Sequence, residues 1–238
     1  MLISHRKQFI YTKTYKTAGT SVEVYFEPYC MPEGDWQEKH LREEYVSEAG
    51  VIGYRGRPRD TSELTWWNHM PAELIKARLN NDAAWNSYFK FCVIRNPFDK
   101  VISAYHFQNK ALPDQPRWYY YQRKVKKVVN QWLYQGVSPA MKKHFKQWLK
   151  EGKMFIDRDK YFIDNQLCVD YIIQYEDLEG GIKAVCERLN IPFEPARIPR
   201  FKVSNRPKKA YSTYYDQEAI DLVTELFEFE VNYFNYKP

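Results

Sequence analysis

The chain has 238 residues, 44% apolar and 17% aromatic, enough to bury a real core in one large domain or two small ones. No run of about 18 apolar residues occurs, which excludes a membrane-spanning helix, and the opening "MLISHRKQF" leaves no room for an apolar signal core, so we expect a soluble cytoplasmic protein. The net charge of +6 and the abundant tyrosines suit either nucleic-acid binding or a pocket for an anionic, purine-bearing small molecule.

Strand-like and helix-like segments alternate from the start of the chain. Residues 7–15 are predicted as a strand that feeds a helix from Thr20 to about Tyr29. Residues 31–63 are polar and rich in glycine and proline, which predicts loops and short elements. The segment "MPAELIKARLN" (70–80) has a proline in its first turn and one apolar face, as a helix requires.

The same alternation continues to the end of the chain. A buried strand is predicted at 88–96 and a proline-started helix at 97–110, followed by a helix with a glycine stop at 137–152. A strand at 169–178 and an amphipathic helix at 180–191 precede the closing helix "DQEAIDLVTELFEFEVNYFNY".

This order predicts an α/β fold with a central, mainly parallel sheet flanked by helices. No break in composition divides the chain, so we expect a single domain over 1–238. The four cysteines are widely spaced in apolar surroundings without a Cys-x-x-Cys pair, which predicts buried free thiols and no metal site. In open α/β sheets, ligands bind at the carboxyl ends of strands, next to helix N-termini.

The first strand-turn-helix junction, "KTAGTS" (16–21), places a lysine before small and hydroxylated residues. Gly19 and Ala18 allow a backbone to approach an anion closely, and Lys16 adds positive charge. The alternative is an ordinary Ser/Thr helix cap beside a solvated lysine. Further hydroxyl donors follow at Thr17, Thr20 and Ser21.

The second junction is "IRNPFDKVISAY" (94–105). Arg95 closes the strand, Pro97 begins the helix, and Ser103 follows two helical turns after Arg95, close enough for both to face one ligand group. The planar guanidinium suits a phosphate because it donates two hydrogen bonds at once. The alternative is an arginine that caps the sheet edge and a serine that faces solvent.

Together the two junctions resemble the sulfotransferase superfamily, most closely its carbohydrate-type branch, the sulfotransferase family 2 pattern. The resemblance extends to "DYIIQYEDLEGGIKAVCERLNIP" and "YSTYYDQEAIDLVTELFEFEVNYFNY" and so covers most of the chain. It implies a fold related to P-loop nucleotide kinases. It also implies transfer of a sulfuryl group from 3′-phosphoadenosine 5′-phosphosulfate (PAPS), without a metal, to a hydroxyl or amine of a small-molecule or carbohydrate acceptor. The product nucleotide is 3′-phosphoadenosine 5′-phosphate (PAP).

The resemblance also implies roles for individual residues. Lys16 contacts the phosphosulfate and stabilises the charge that develops on the bridging oxygen, while Arg95 and Ser103 hold the 3′-phosphate. Tyr15 departs from the family, which usually has proline before the loop lysine. The residues that wrap the 5′-phosphate are Thr17, Ala18, Gly19, Thr20 and Ser21.

A basic loop before Tyr211 is a further candidate for nucleotide binding. Arg206 and Lys208 lie near the places where family members often carry an Asn-x-Ser-x-Arg pattern. They are candidates to close over the nucleotide, and a solvated basic loop is the alternative.

Transfer also requires a general base with a pKa near neutrality, which histidine has without perturbation. Among five histidines, His69 in "LTWWNHMPAEL" precedes a helix where a substrate pocket wall is expected, and related sequences resemble this segment. We therefore predict His69 as the base, with a helix-capping or core role as the alternative. Glu63 and Asp60 are the fallback bases, since some relatives use a carboxylate.

Aromatic residues in the segments least like the family are predicted to contact the acceptor. Packing in a lid or core is the alternative for all of them. With no anchor or signal, a small metabolite is slightly favoured over a polysaccharide as acceptor. The predicted acceptor residues are Trp66, Trp67, Trp118 and Tyr120.

Two rival functions make different demands on the sequence. A P-loop kinase needs a glycine-lysine-Ser/Thr order and a magnesium-binding acid after a strand, and the chain has neither. A nucleic-acid-binding module would use the basic and aromatic residues without chemistry and would bind oligonucleotides with a steep salt dependence.

Overall fold

The computed structural model describes residues 1–56, 62–109, 137–199, 201 and 211–238. The described residues form two compact units, one from Met1–Arg95 and Asp157–Ser204 and the other from Asn96–Ile156 and Asn205–Pro238. The expectation of a single domain stays a prediction. Five predicted site residues lie outside the described residues: Asp60, Trp118, Tyr120, Arg206 and Lys208.

The first unit contains a six-stranded sheet and a separate two-stranded hairpin. The strands of the sheet are β1 (Leu2–Ser4), β2 (Phe9–Tyr11), β3 (Tyr45–Ser47), β4 (Gly50–Ile52), β5 (Phe89–Ile94) and β8 (Tyr171–Gln174), and the hairpin is formed by β6 (Phe162–Ile163) and β7 (Gln166–Leu167). Along the sheet the strands stand in the order β3-β4-β1-β2-β5-β8, so the first two strands of the chain lie near its centre.

The sheet is mixed, which corrects the expectation of a mainly parallel sheet. β2 pairs with β5, and β5 with β8, in parallel, whereas the β1–β2, β1–β4 and β3–β4 pairs are antiparallel. Short turns join β1 to β2 and β3 to β4, and such turns produce antiparallel neighbours. The parallel strands are reached by long connections that contain helices. The α/β class with helices beside the sheet is confirmed.

Alternate residues of the short strands enter two different hydrophobic clusters. Phe9 and Tyr11 of β2 belong to one cluster, and Ile10 between them belongs to the other, as the two-residue period of a strand requires. Helices α1 (Gly19–Phe26) and α6 (Leu178–Arg188) contribute to the first cluster. Helices α2 (Ala72–Leu79) and α3 (Asp82–Ser87) contribute to the second, so helices cover both faces of β2.

The second unit is helical in its described part. Its core joins Phe98, Phe145, Trp148 and Phe227, among others, in a cluster of aromatic and aliphatic side chains. The predicted closing helix is divided at Phe227 into two helices. The helices of this unit are α4 (Pro97–Gln108), α5 (Pro139–Lys150), α7 (Gln217–Leu226) and α8 (Glu228–Tyr233).

A buried carboxylate joins β2 to α1. Glu23 is fully buried, with Oε1 2.6 Å from the Met1 amino nitrogen, and its Oε2 accepts hydrogen bonds from Lys13 Nζ and, at 3.1 Å, from Arg55 Nη1. Burial alone raises the pKa of Glu23, but the charges of Lys13, the Met1 amino group and Arg55 outweigh burial. The pKa therefore lies well below the ordinary value of 4.5. Glu23 is thus ionised, and it fixes Lys13 just beyond the end of β2.

A second buried carboxylate extends this ion-pair network. Glu27 accepts hydrogen bonds from Arg55 Nη1, from Arg42 Nε at 2.9 Å and from Trp36 Nε1 at 3.3 Å. Backbone hydrogen bonds of 2.7 and 2.8 Å also join Arg42 and Arg55 to each other. The pairs of Glu23 and Glu27 therefore connect α1, the end of β2 and the segment around Arg42 and Arg55.

We expect Glu23→Gln to lower the free energy of unfolding by about 3–5 kcal/mol, because it leaves buried cations without their counter-charge. Urea unfolding followed by tryptophan fluorescence measures this loss. Glu73→Gln, at an exposed position of α2, is the matched control and is expected to change stability by about 0.5 kcal/mol or less. Equal stabilities for the two variants would show that the network contributes nothing to folding.

Candidate active site

The loop between β2 and α1 has an unusual backbone. Lys16 has φ 63° and Ala18, the N-cap of α1, has φ 57°, both in the left-handed region that side chains disfavour. Of the nine described non-glycine residues with positive φ, six are Asn, Asp or Gln, and the other three are Lys16, Ala18 and His69. Backbone strain concentrated in this way is a feature of ligand-binding sites.

The start of α1 presents backbone N–H groups. The bonds from Ser21 N and Val22 N to Ala18 O, 2.8 and 3.3 Å long, are the first of the helix. The N–H groups of Gly19 and Thr20 come before these bonds, as the opening amides of any helix do. Together with the helix dipole they provide a place for an anion.

The hydroxyl of Thr17 has partners inside the loop, and its role as a ligand donor stays a prediction. Thr17 is buried, and its Oγ1 lies 2.8 Å from Thr14 Oγ1 and 3.2 Å from the Thr14 carbonyl oxygen. Thr14 Oγ1 in turn donates to the carbonyl of Val93 in β5. Through these bonds Thr17 holds the loop against the sheet.

Gly19 is required by a side chain of the protein. A Cβ atom at this position would lie 2.8 Å from both Cγ and Cε of Lys13 and 3.2 Å from Tyr11 Oη. The aliphatic part of Lys13 therefore passes directly over Gly19 on its way to Glu23. The close approach of a ligand to this glycine stays a prediction, and the structure adds the close approach of Lys13.

Arg95 contacts the loop itself. Its Nη1 donates a 2.9 Å hydrogen bond to the carbonyl oxygen of Lys16, and its guanidinium lies 4.2 Å from the centre of the Tyr175 ring. The side chain is buried. The structure therefore joins Arg95 to the first junction directly and adds Tyr175, for which the sequence predicts no role. Ser103 lies on α4 in the second unit and is partly buried, and its role stays a prediction.

His69 is held by two contacts with the strand end and the loop. Its Nδ1 lies 3.1 Å from the carbonyl oxygen of Lys13, and its ring is stacked on Tyr15 with centroids 3.8 Å apart and planes 10° apart. A carbonyl oxygen only accepts hydrogen bonds, so Nδ1 carries the proton of the neutral ring and Nε2 carries the lone pair. Nε2 is therefore the atom that can take up a proton.

The pKa of His69 lies well below its ordinary value of 6.5, which corrects the expectation of an unperturbed histidine. Burial lowers the pKa most, and the charge of Lys13 lowers it further, while Glu23 raises it. His69 is consequently neutral at physiological pH. It is a weaker base than a solvated histidine, but at neutral pH it is present in the unprotonated form that can accept a proton.

The other four histidines contact aromatic side chains. Three of them are hydrogen bonded to a tyrosine hydroxyl, and one meets a phenylalanine ring, so their contacts are those of packed or surface residues. These pairs are His5–Tyr88, His106–Tyr214, His144–Tyr105 and His40–Phe201. Of the two fallback carboxylates, Glu63 is exposed.

The two described tryptophans predicted to contact the acceptor have structural partners. Trp66 is buried in the cluster that contains Ile3 and Ile75. Trp67 is partly buried, and the Arg78 guanidinium lies 4.6 Å from its ring centre. These contacts match the packing alternative, and an acceptor role for either tryptophan stays a prediction.

Lys13 and Glu23 are the site residues that motif recognition misses. A signal for them exists in the sequence. Glu23 stands in the apolar run "SVEVYF", which predicts that its carboxylate is buried, and a buried carboxylate needs a cationic partner. The stacking of Tyr15 has no comparable signal because it joins residues 54 positions apart.

The four cysteines are free, with Cys30, Cys92 and Cys186 buried and Cys168 partly buried, as the sequence predicts. Within the described ranges, no group of three or more His, Cys, Asp or Glu side chains is placed to hold a metal ion. No helix in the described part of the chain is long and apolar enough to span a bilayer.

We expect NMR titration of ¹⁵N-histidine-labelled protein to show His69 as the Nδ1-protonated tautomer, neutral at pH 6.5 and protonated only at lower pH. The His69→Ala spectrum identifies its signals. Since the folded-state pKa is below the unfolded one, His69 contributes stability that is present above pH 6.5 and is lost as the pH falls through the folded-state pKa. A midpoint at or above 6.5 would contradict this assignment.

Comparison with protein-family models matches residues 1–237 to the model described as "Sulfotransferase family", of the family 2 type. Comparisons with curated proteins and with solved structures gave no match. The family match spans both strand-turn-helix junctions and the segment that contains His69. The chain therefore belongs to the sulfotransferase family, whose activity is the transfer of a sulfuryl group.

Proposed function

We propose that this protein transfers the sulfuryl group of PAPS to a hydroxyl or amine of a small-molecule or carbohydrate acceptor. One observation carries the proposal: the Lys13 carbonyl binds His69 Nδ1, and the strained loop that begins at Lys16 follows three residues later. A proton acceptor and a cationic anion-binding loop are thus anchored on one short segment at the end of β2. Sulfuryl transfer requires both groups.

The residues of the loop fit the anionic end of the donor. The partly exposed Lys16 supplies positive charge, and the opening amides of α1 supply N–H donors. Arg95 secures the loop through the Lys16 carbonyl. Two roles rest on the family resemblance: contact of Arg95 and Ser103 with the 3′-phosphate, and closure by Arg206 and Lys208.

The chemistry assigned to the protein consists of charge stabilisation and proton transfer. PAPS, when bound, supplies the sulfuryl group and leaves as PAP, so the acceptor atom gains a bond to sulfur and the bridging oxygen loses one. His69 Nε2 takes the proton that the acceptor gives up, while the Lys13 carbonyl keeps Nδ1–H fixed. The Lys16 ammonium stabilises the negative charge on the bridging oxygen, and a preformed charge is most effective where water is excluded.

We expect Lys16→Ala to weaken the binding of PAP about 10- to 100-fold, because a hydrogen bond to a charged group contributes roughly 1.5–3 kcal/mol. Isothermal titration calorimetry measures the dissociation constant. Lys76→Ala, at an exposed position on α2, removes the same charge elsewhere in the chain and should leave the affinity unchanged.

Arg95→Ala should also weaken PAP binding, since it releases the Lys16 carbonyl. If both the Lys16 and the Arg95 variant bind PAP with wild-type affinity, the nucleotide does not bind at this loop.

Mass spectrometry of a panel of sugars, phenols and primary amines incubated with PAPS tests the function itself. We expect at least one compound to gain the mass of a sulfuryl group. His69→Ala should reduce the rate of this transfer about 100-fold or more while PAP binding stays near wild type, because general base catalysis contributes roughly 10²–10⁴-fold.

His40→Ala, which replaces an exposed histidine, is the matched control and should transfer at the wild-type rate. Unchanged transfer in His69→Ala would remove His69 as the base. Salt-sensitive binding of oligonucleotides without any sulfated product would favour the nucleic-acid-binding alternative instead.

A further inference from the structure

The rings of Tyr15 and His69 form a stacked pair beside the loop. Tyr15 stands where family members usually have proline, and its ring lies parallel to the imidazole with centroids 3.8 Å apart. This separation is van der Waals contact over the whole face of the smaller ring. One face of the His69 ring is therefore covered by Tyr15.

The hydrogen bond to Lys13 by itself does not fix the imidazole. The terminal side-chain torsion of histidine, about the Cβ–Cγ bond, is broad, and one hydrogen bond at Nδ1 tolerates a range of this torsion. Rotation in this structure would drive the imidazole into the Tyr15 ring. The hydrogen bond and the stacked ring together leave one orientation of the ring, and hence one direction for the Nε2 lone pair.

Tyr15 is itself anchored by its backbone. Its N–H donates a 3.0 Å hydrogen bond to Oδ2 of Asp157, a buried residue of the same compact unit. A proline at this position has no N–H and restricts φ through its ring instead. At Tyr15 a tertiary hydrogen bond therefore restrains the backbone, and the side chain supplies an aromatic face.

We propose that Tyr15 is a positioning residue for the general base: its ring fixes the orientation of the His69 imidazole and keeps water from one of its faces. This inference rests on the proposed function of His69 as the base. The phenol ring does not exchange a proton in the reaction. Burial first, and then the charges of Asp157 and Asp159, raise the pKa of Tyr15 above its ordinary value, so the side chain is a neutral phenol.

The aromatic face also suits the protonated state of the base. After proton transfer His69 is an imidazolium, and a cation over an aromatic face is attracted by the ring quadrupole. Tyr15 thus contacts the base in both of its protonation states. This contact requires the ring and does not require the phenol hydroxyl, which makes phenylalanine the matched control.

Titration of His69 by ¹⁵N NMR in the ligand-free protein tests the contact directly. We expect Tyr15→Ala to shift the pKa of His69 upward, toward its ordinary value of 6.5, because burial is the largest influence on this pKa and the entry of water outweighs the lost attraction between the Tyr15 ring and the imidazolium. Tyr15→Phe should titrate as wild type. An Ala variant that titrates as wild type would overturn the inference.

Turnover provides the second measurement, with PAPS and the panel compound that gives the most sulfated product. We expect kcat to fall about tenfold or more in Tyr15→Ala, because a misplaced catalytic group loses the benefit of orientation. Tyr15→Leu, which keeps apolar bulk without a flat face, should lose turnover as well and replaces the Ala variant if that variant does not fold. Tyr15→Phe should stay within about twofold of wild type, and so should the PAP affinity of all three variants.

The outcomes separate this inference from the proposed function. Wild-type kcat in both Tyr15→Ala and Tyr15→Leu would overturn it, and so would a loss of PAP affinity as large as the loss of turnover, since Tyr15 would then act on the loop. If His69→Ala transfers at the wild-type rate, the proposed function of His69 fails. The NMR titration still decides whether Tyr15 holds the ring.

Discussion

The buried ion pair between Lys13 and Glu23 is the interaction on which the candidate site depends. Glu23 lies on α1 and Lys13 just beyond β2, so the pair fixes the start of the helix relative to the strand end. The stem of Lys13 lies against Gly19, and its carbonyl oxygen accepts the hydrogen bond from His69. One residue therefore shapes the candidate anion-binding loop with its side chain and orients His69, the proposed base, with its backbone. A buried ion pair contributes little to net stability compared with apolar packing, but loss of one partner is costly, which makes such pairs effective at specifying a single arrangement.

The same pair influences the pKa of His69, the proposed base. Lys13 lowers the pKa of His69 and Glu23 raises it, so the two charges partly cancel at the imidazole and burial becomes the dominant influence. The result is a histidine that stays neutral and accepts a proton at one defined atom. An isolated lysine in this place would add a second cation to a site that already contains Lys16. Glu23 thus neutralises the charge of Lys13, so that the positive charges of Lys13 and Lys16, three residues apart, do not simply add at the site.

The loop departs from the nucleotide-kinase pattern in how it is held. In a P-loop, glycines allow the backbone to wrap around phosphates, and a lysine follows them. In this chain Lys16 precedes the small residues, and non-glycine residues occupy the strained positions Lys16 and Ala18. Contacts of the surrounding protein maintain that strain: Arg95 holds the Lys16 carbonyl, and Thr14 and Thr17 join the loop to β5. Backbone conformations of this kind persist only where neighbouring structure determines them.

The sequence by itself determined the α/β class, the approximate positions of the main helices, the loop at Lys16–Ser21, and Arg95 and His69 as candidates. Periodicity, helix-start signals and motif order are local features, so they can be recognised in the sequence without knowledge of the fold. Only the tertiary structure decided that the sheet is mixed and that Thr14 joins the loop to Val93 of β5. It also decided that Gly19 makes room for Lys13, and that Tyr15 and Lys13 hold His69 from 54 and 56 residues away. These features depend on contacts between distant segments and on the balance of buried charges, and no local pattern of residues encodes either.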